Sequence, residues 1–152
     1  MTIAEAVSPT AEHAAYGGRA EPRVLLVDDD PVIRNCVGRF FRRLGFDVRV
    51  AGSARDAMKL LRESPVDAVI TDLRLAGEDG GTIVDAILEE GPYWGPRIIV
   101  VSGDLSSASA RRAVERGCIT ALKPFDIPAL ARRIRAMVGE GEGTPIELAK
   151  AS

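Results

Sequence analysis

The chain has 152 residues, 46% of them hydrophobic and 28% charged, enough to bury one core and ordinary for a globular domain. A formal net charge of -2 and a pI near 5.5 give no electrostatic ground for a nucleic-acid partner. The single histidine, His13, lies near the N-terminus, which argues against a histidine-based metal site or general base, and no apolar run is long enough to span a bilayer.

Residues 1–20 read as a flexible N-terminal tail with no basic stretch ahead of an apolar run, so no secretory signal is expected and the location implied is the cytoplasm. Residues 21–139 carry the folded domain, and 140–152, opening on alternating Gly and Glu, read as a flexible C-terminal tail or linker stub. Val24 to Val27 is a buried strand running into Asp28, Asp29 and Asp30. Asp30 and Pro31 then open a helix. Its apolar face is expected from Ile33, Cys36, Val37, Phe40, Phe41 and Leu44, and Gly45 ends it. Asp47 to Val50 alternates and reads as a half-buried edge strand. Ser53 caps a second helix to about Glu63.

Val66 to Thr71 is a third strand ending at Asp72, followed by a helix from about Gly80 to Glu90. Arg97 to Val101 is a fourth strand ending at Ser102, and a helix from about Ser106 to Arg116 stops at Gly117. Ile119 to Leu122 is a fifth strand running into Lys123 and Pro124. Asp126 caps a last helix with Leu130, Ile134, Met137 and Val138 inward, and Pro145 to Ala149 suits one further helical turn. Cys36 and Cys118 sit inside apolar patterns and are expected as buried small hydrophobes in a reducing compartment.

Strands alternating with helices imply right-handed crossovers. The expected fold is α/β: a five-stranded parallel sheet of order 2-1-3-4-5, flavodoxin-like, with helices on both faces. Its functional groups should leave the carboxyl ends of the strands. Three carboxylates at one crevice repel each other unless a hard cation relieves them, and magnesium suits such a site because it keeps several waters and takes a phosphate oxygen. Asp72 can then serve as a nucleophile toward phosphorus, with Lys123 and Ser102 facing the charge on the transferring group. Singly, each residue has a structural explanation as a cap or a surface charge; four successive strand ends together favour chemistry.

Val24-Leu25-Leu26-Val27-Asp28-Asp29-Asp30-Pro31, Asp72-Leu73-Arg74 with Asp79-Gly80, Val100-Val101-Ser102-Gly103 and Lys123-Pro124-Phe125 resemble the receiver domain of two-component response regulators, from about Arg23 to Val138. The resemblance implies a phosphoacceptor with self-catalysed phosphotransfer and autodephosphorylation rather than a conventional enzyme. It implies magnesium, for which manganese could substitute, on Asp28, Asp29, Asp72 and the carbonyl of Arg74. It makes Asp72 the phosphoacceptor, Ser102 the switch hydroxyl and Lys123 the phosphoryl partner, with a Lys123–Pro124 bond that is usually cis.

The implied partners are a sensor histidine kinase or phosphotransfer protein as donor and a downstream protein bound through the fourth helix, fifth strand and fifth helix. Arg111, Arg112, Arg116, Arg132, Arg133 and Arg135 lie in those helices; no nucleic acid or membrane partner is expected. Three positions depart from the family pattern. Thr120 stands where an aromatic switch residue is usual, the segment 117–123 is one residue short, and Ala76 replaces a proline. Arg74 and Asp104 flank the site mouth and are expected to pair across it. The alternatives are a receiver cut from a larger regulator or hybrid kinase, a pseudo-receiver that only binds, and a flavodoxin-like FMN binder, which three aspartates after the first strand disfavour.

Overall fold

The computed structural model describes residues 21–75, 78–140 and 145–150. Its elements in chain order are β1 (Arg23–Val27), α1 (Pro31–Arg43), β2 (Asp47–Ala51), α2 (Ala54–Glu63), β3 (Ala68–Asp72), α3 (Gly81–Glu90), β4 (Ile98–Ser102), α4 (Ala108–Glu115), β5 (Ile119–Leu122) and α5 (Ile127–Glu140). The five strands form one parallel sheet of order β2-β1-β3-β4-β5, as expected. A two-stranded hairpin pairing Arg74–Leu75 with Glu78–Asp79 is inserted after β3.

Local chemistry sets the element ends. The Asp30 carboxylate accepts the Val32 N–H at 2.9 Å with Pro31 leading α1, and Ser53 accepts the Asp56 N–H at 3.1 Å to open α2. Asp126 does the same for α5, accepting the Ala129 N–H at 3.0 Å. Gly45 and Gly117 follow α1 and α4 with φ of +89° and +85°, a left-handed conformation that any side chain would strain.

Alternate strand residues feed two cores. Leu25, Val27, Val69 and Val100 face α2, α3 and α4. Leu26, Ile70 and Ile99 face α1 and α5, where Phe41 meets Phe46 edge-on with centroids 5.3 Å apart. Layers on both sides leave the central strands fully buried, which is why they read as unbroken apolar runs.

Several expectations are corrected. The buried face of α1 is Val37, Gly38 and Phe41, whereas Cys36, Phe40 and Leu44 are exposed. Gly38 lies close to Val48 and Val50, so α1 approaches the edge of the sheet along that line and turns the row Val32, Cys36, Phe40, Leu44 toward solvent. Val50 on edge strand β2 is exposed too. Met137 is only partly buried. A 3-10 turn, Pro92–Arg97, precedes β4, so that strand begins at Ile98 and not at Arg97.

The third strand begins at Ala68, because Val66 is taken by a different partner. Val66 and Ile146 exchange backbone hydrogen bonds of 2.7 and 2.9 Å in an antiparallel bridge. The segment 145–150, expected as part of a flexible tail with a helical turn, is instead extended against the α2–α3 side of the domain. Ile146 and Leu148 are buried, the Leu148 N–H reaches the Leu61 carbonyl at 3.1 Å, and the Ala149 N–H reaches Glu90 at 2.8 Å. Two apolar side chains spaced to enter one core outweigh a flexible linker, a contact that local sequence does not announce. The expected tail at 1–20 and position Ala76 lie outside the described residues.

Candidate functional site

Strand register carries four polar residues to one edge. Val27 pairs with Thr71, Asp72 with Val101, and Ser102 with Leu122. Asp28, Asp72, Ser102 and Lys123 therefore emerge at the carboxyl ends of β1, β3, β4 and β5. Asp28, Asp72 and Ser102 are buried. The Lys123 ammonium lies between the two acids, hydrogen-bonded to Asp72 Oδ2 and 3.3 Å from Asp28 Oδ2. Each carboxylate rests its other oxygen on a backbone amide two residues on: Asp28 Oδ1 accepts the Asp30 N–H and Asp72 Oδ1 the Arg74 N–H, both at 2.9 Å. Burial opposes the charge on Lys123, but hydrogen bonding and attraction from Asp72, and then Asp28, outweigh it and raise its pKa.

Ser102 Oγ accepts the Asp104 N–H and faces the Asp104 carbonyl, each at 3.1 Å, so the loop after β4 holds the hydroxyl. The Lys123 N–H binds the Ser102 carbonyl at 2.9 Å, and the Lys123–Pro124 bond is cis. Asp29 is exposed and does not join the pair formed by Asp28 and Asp72. Among the described residues, no three acidic, cysteine or histidine side chains are gathered closely enough to enclose an ion. The donor set nonetheless fits a hard divalent cation. It is all oxygen: the buried carboxylates of Asp28 and Asp72 converge on the one Lys123 ammonium, with exposed Asp29 next to Asp28 in sequence.

Arg74 and Asp104 are exposed and form no ion pair with each other. The Asp104 carboxyl is nevertheless held below its ordinary range, mainly by hydrogen bonds from Ser106 and in smaller part by the charge of Arg74. Thr120 is half-buried on β5, opposite Val100. Of the six arginines expected on the outer helices, Arg112 and Arg116 pair with Asp85, and Arg135 stacks 4.6 Å over the Phe46 ring. Arg111, Arg132 and Arg133 stay exposed.

Two supporting residues escaped the sequence reading. The Arg34 guanidinium donates to the Asp28 carbonyl at 2.7 Å, a contact that its position in the helix pattern does not announce. Gly80 gives its N–H to the Leu73 carbonyl at 2.9 Å and packs under the Asp72 peptide. A Cβ on Gly80 would fall 2.0 Å from the Asp72 carbonyl oxygen. The Asp79-Gly80 pair was visible, but the close approach that requires glycine was not.

A profile described as the response regulator receiver domain matches residues 24–135, the stretch holding all four strand ends. The chain belongs to the response regulator receiver family. This receiver is 36% identical over 106 residues to an NtrX-like response regulator of Rickettsia bellii, a match covering 68% of this chain and 22% of that protein. It is 34% identical over 108 residues to the DNA-binding transcriptional regulator NtrC of Azospirillum brasilense, covering 70% of this chain and 22% of that protein. The match thus spans about a fifth of the length of these relatives. A crystal structure of a response regulator protein from Burkholderia pseudomallei superposes with a TM-score of 0.67 at 26% identity, covering 79% of this chain and 70% of that one. That protein carries a phosphorylated aspartic acid, a calcium ion and citrate. Because a relative of this receiver is a DNA-binding regulator, the expected absence of a nucleic-acid partner gains no support. Among the described residues, no helix is long and apolar enough to cross a membrane.

Proposed function

We propose that Asp72 accepts a phosphoryl group from a phosphohistidine on a sensor histidine kinase or phosphotransfer protein, in a magnesium-dependent reaction in the cytoplasm. The observation that carries this reading is the Lys123 ammonium shared between the buried carboxylates of Asp28 and Asp72 at one sheet edge. An Asp72 oxygen attacks phosphorus, forming a P–O bond as the P–N bond breaks; the electron pair goes to the imidazole nitrogen, and the ring leaves as neutral imidazole, either because its other nitrogen already carries a proton or by taking one from solvent. Lys123, already charged and already beside Asp72, moves onto the oxygens of the transferred group at little reorganisation cost. Ser102 turns from the Asp104 carbonyl to donate to another of those oxygens. Magnesium, for which manganese could substitute, would be held by Asp28, Asp29, Asp72 and the Arg74 carbonyl, and would neutralise charge as the phosphoryl group arrives.

The donor has a docking face beside the site. Val32, 66% exposed, and Phe40, 51% exposed, line the outward side of α1 with Cys36 between them and Arg39 and Arg43 alongside. Output is read from the α4–β5–α5 face, where Val114, Leu122, Arg111, Arg132 and Arg133 are all exposed. The greater length of the relatives favours a second reading, in which the same receiver serves an attached output domain.

Intact mass after incubation with magnesium and acetyl phosphate tests the core of this reading. One phosphate adduct is expected on the wild type and none on Asp72→Asn. No adduct on the wild type would leave a receiver that only binds, and an equal adduct on both would put the phosphate on a residue other than Asp72.

A further inference from the structure

Asp29 is exposed, yet the backbone on either side of it is fixed. After it, Asp30 caps α1: its carboxylate accepts the Val32 N–H, and its carbonyl accepts the Arg34 N–H at 3.0 Å. Before it, the Asp28 N–H reaches the Ala51 carbonyl at 3.1 Å, and the Asp28 carbonyl accepts the Arg34 guanidinium at 2.7 Å. That carbonyl belongs to the peptide joining Asp28 to Asp29. A peptide is planar, so a grip on its oxygen fixes how the two residues are turned relative to each other. The bond is charge-assisted, and so stronger than one between neutral groups.

Gly52, which follows β2, makes room for the guanidinium. A Cβ there would lie 2.8 Å from Arg34 Nη1 and 3.3 Å from its Cζ. Gly52 is not among the glycines with positive φ, so what the position needs is space and not a special backbone conformation. The Asp28 carboxylate has anchors of its own in the Asp30 N–H and Lys123. The direction of Asp29 is what depends on Arg34.

We propose that Arg34 is a positioning residue for the metal: by holding the peptide between Asp28 and Asp29, it presents the Asp29 carboxylate to the cation that Asp28 also binds. The inference rests on the reading of these acids as magnesium ligands. It gives exposed Asp29 a defined place in the metal set although it stays outside the cluster of Asp28, Lys123 and Asp72.

Magnesium titration of the full chain, followed by calorimetry and by the amide resonances of residues 28–30, tests this with no phosphoryl donor present. Arg34→Ala is expected to weaken magnesium binding about tenfold, the usual scale for a residue that orients a metal ligand. Gly52→Ala, which displaces only the end of a flexible side chain, should weaken it in the same direction and keeps the test open if Arg34→Ala does not fold. In an Asp29→Asn background, Arg34→Ala should have little further effect, because the carboxylate it positions has lost its charge. Wild-type affinity in Arg34→Ala or in Gly52→Ala, or an equal loss from Arg34→Ala with and without the Asp29 charge, would overturn the role of Arg34 alone. A wild type that binds no magnesium would defeat the metal reading, and this inference with it.

Discussion

Asp72 is positioned as much by its neighbours' backbones as by its own strand. The Arg74 amide holds one carboxylate oxygen, Lys123 holds the other, and Gly80 lies under its peptide. Gly80→Ala would drive a methyl group into backbone atoms that cannot swing aside. We expect it to cost about 1–3 kcal/mol in urea unfolding and to slow phosphate uptake at Asp72. At the mouth, Arg74 and Asp104 stop short of an ion pair, yet Asp104 feels the positive charge. Arg74→Ala with Asp104→Ala is expected to shorten the life of the phosphoryl group by admitting the attacking water; an unchanged dephosphorylation rate would show that the two side chains do not restrict it. These residues were legible because each stands at a strand end. Arg34 and Gly80 were not, because their roles depend on distance to backbone atoms that local pattern does not encode.

At the scale of elements, periodicity located the five strands of the sheet and, among the described residues, the five α-helices that cover it, and it erred where packing chose among apolar residues. On α1, six apolar positions competed for one inward stripe, and the close approach at Gly38 decided which row faced the sheet. The segment 145–150 is the larger surprise. A glycine-rich approach suggested mobility, but Ile146 and Leu148 both find places in the core with α2 and α3. Ile146→Ala is expected to cost about 2–3 kcal/mol, the low end for a buried isoleucine because the segment can peel away at modest cost. Denaturant unfolding checks it, and a change below about 0.5 kcal/mol would mean that the segment is not part of the cooperative unit.

On the scale of the whole molecule, Lys123 ties β5 to β1 and β3 through Asp28 and Asp72, residues 95 and 51 positions away in sequence. That link has a pH signature. The Lys123 pKa is raised above the ordinary lysine value of 10.5, so its contribution is fully present below about pH 10.5 and is lost as pH rises through the higher value of the folded state. The stability difference between wild type and Lys123→Met, about 1–3 kcal/mol for hydrogen bonds to charged groups, should stay level from roughly pH 7 to 9. It should shrink above about 10.5. A difference that fades already near neutral pH would mean that the ammonium does not hold the acids together.

By itself the sequence determined the order of elements, the parallel sheet and the polar residue at each strand end. These follow from local burial patterns and from the geometry of strand–helix–strand crossovers. Tertiary structure alone decided that Asp28 and Asp72 share one ammonium while Asp29 stays in solvent, that α1 turns Phe40 outward, and that Ile146 pairs with Val66. Each is a contact between groups far apart in the chain, set by register and close packing, and neither quantity is carried by any short stretch of residues.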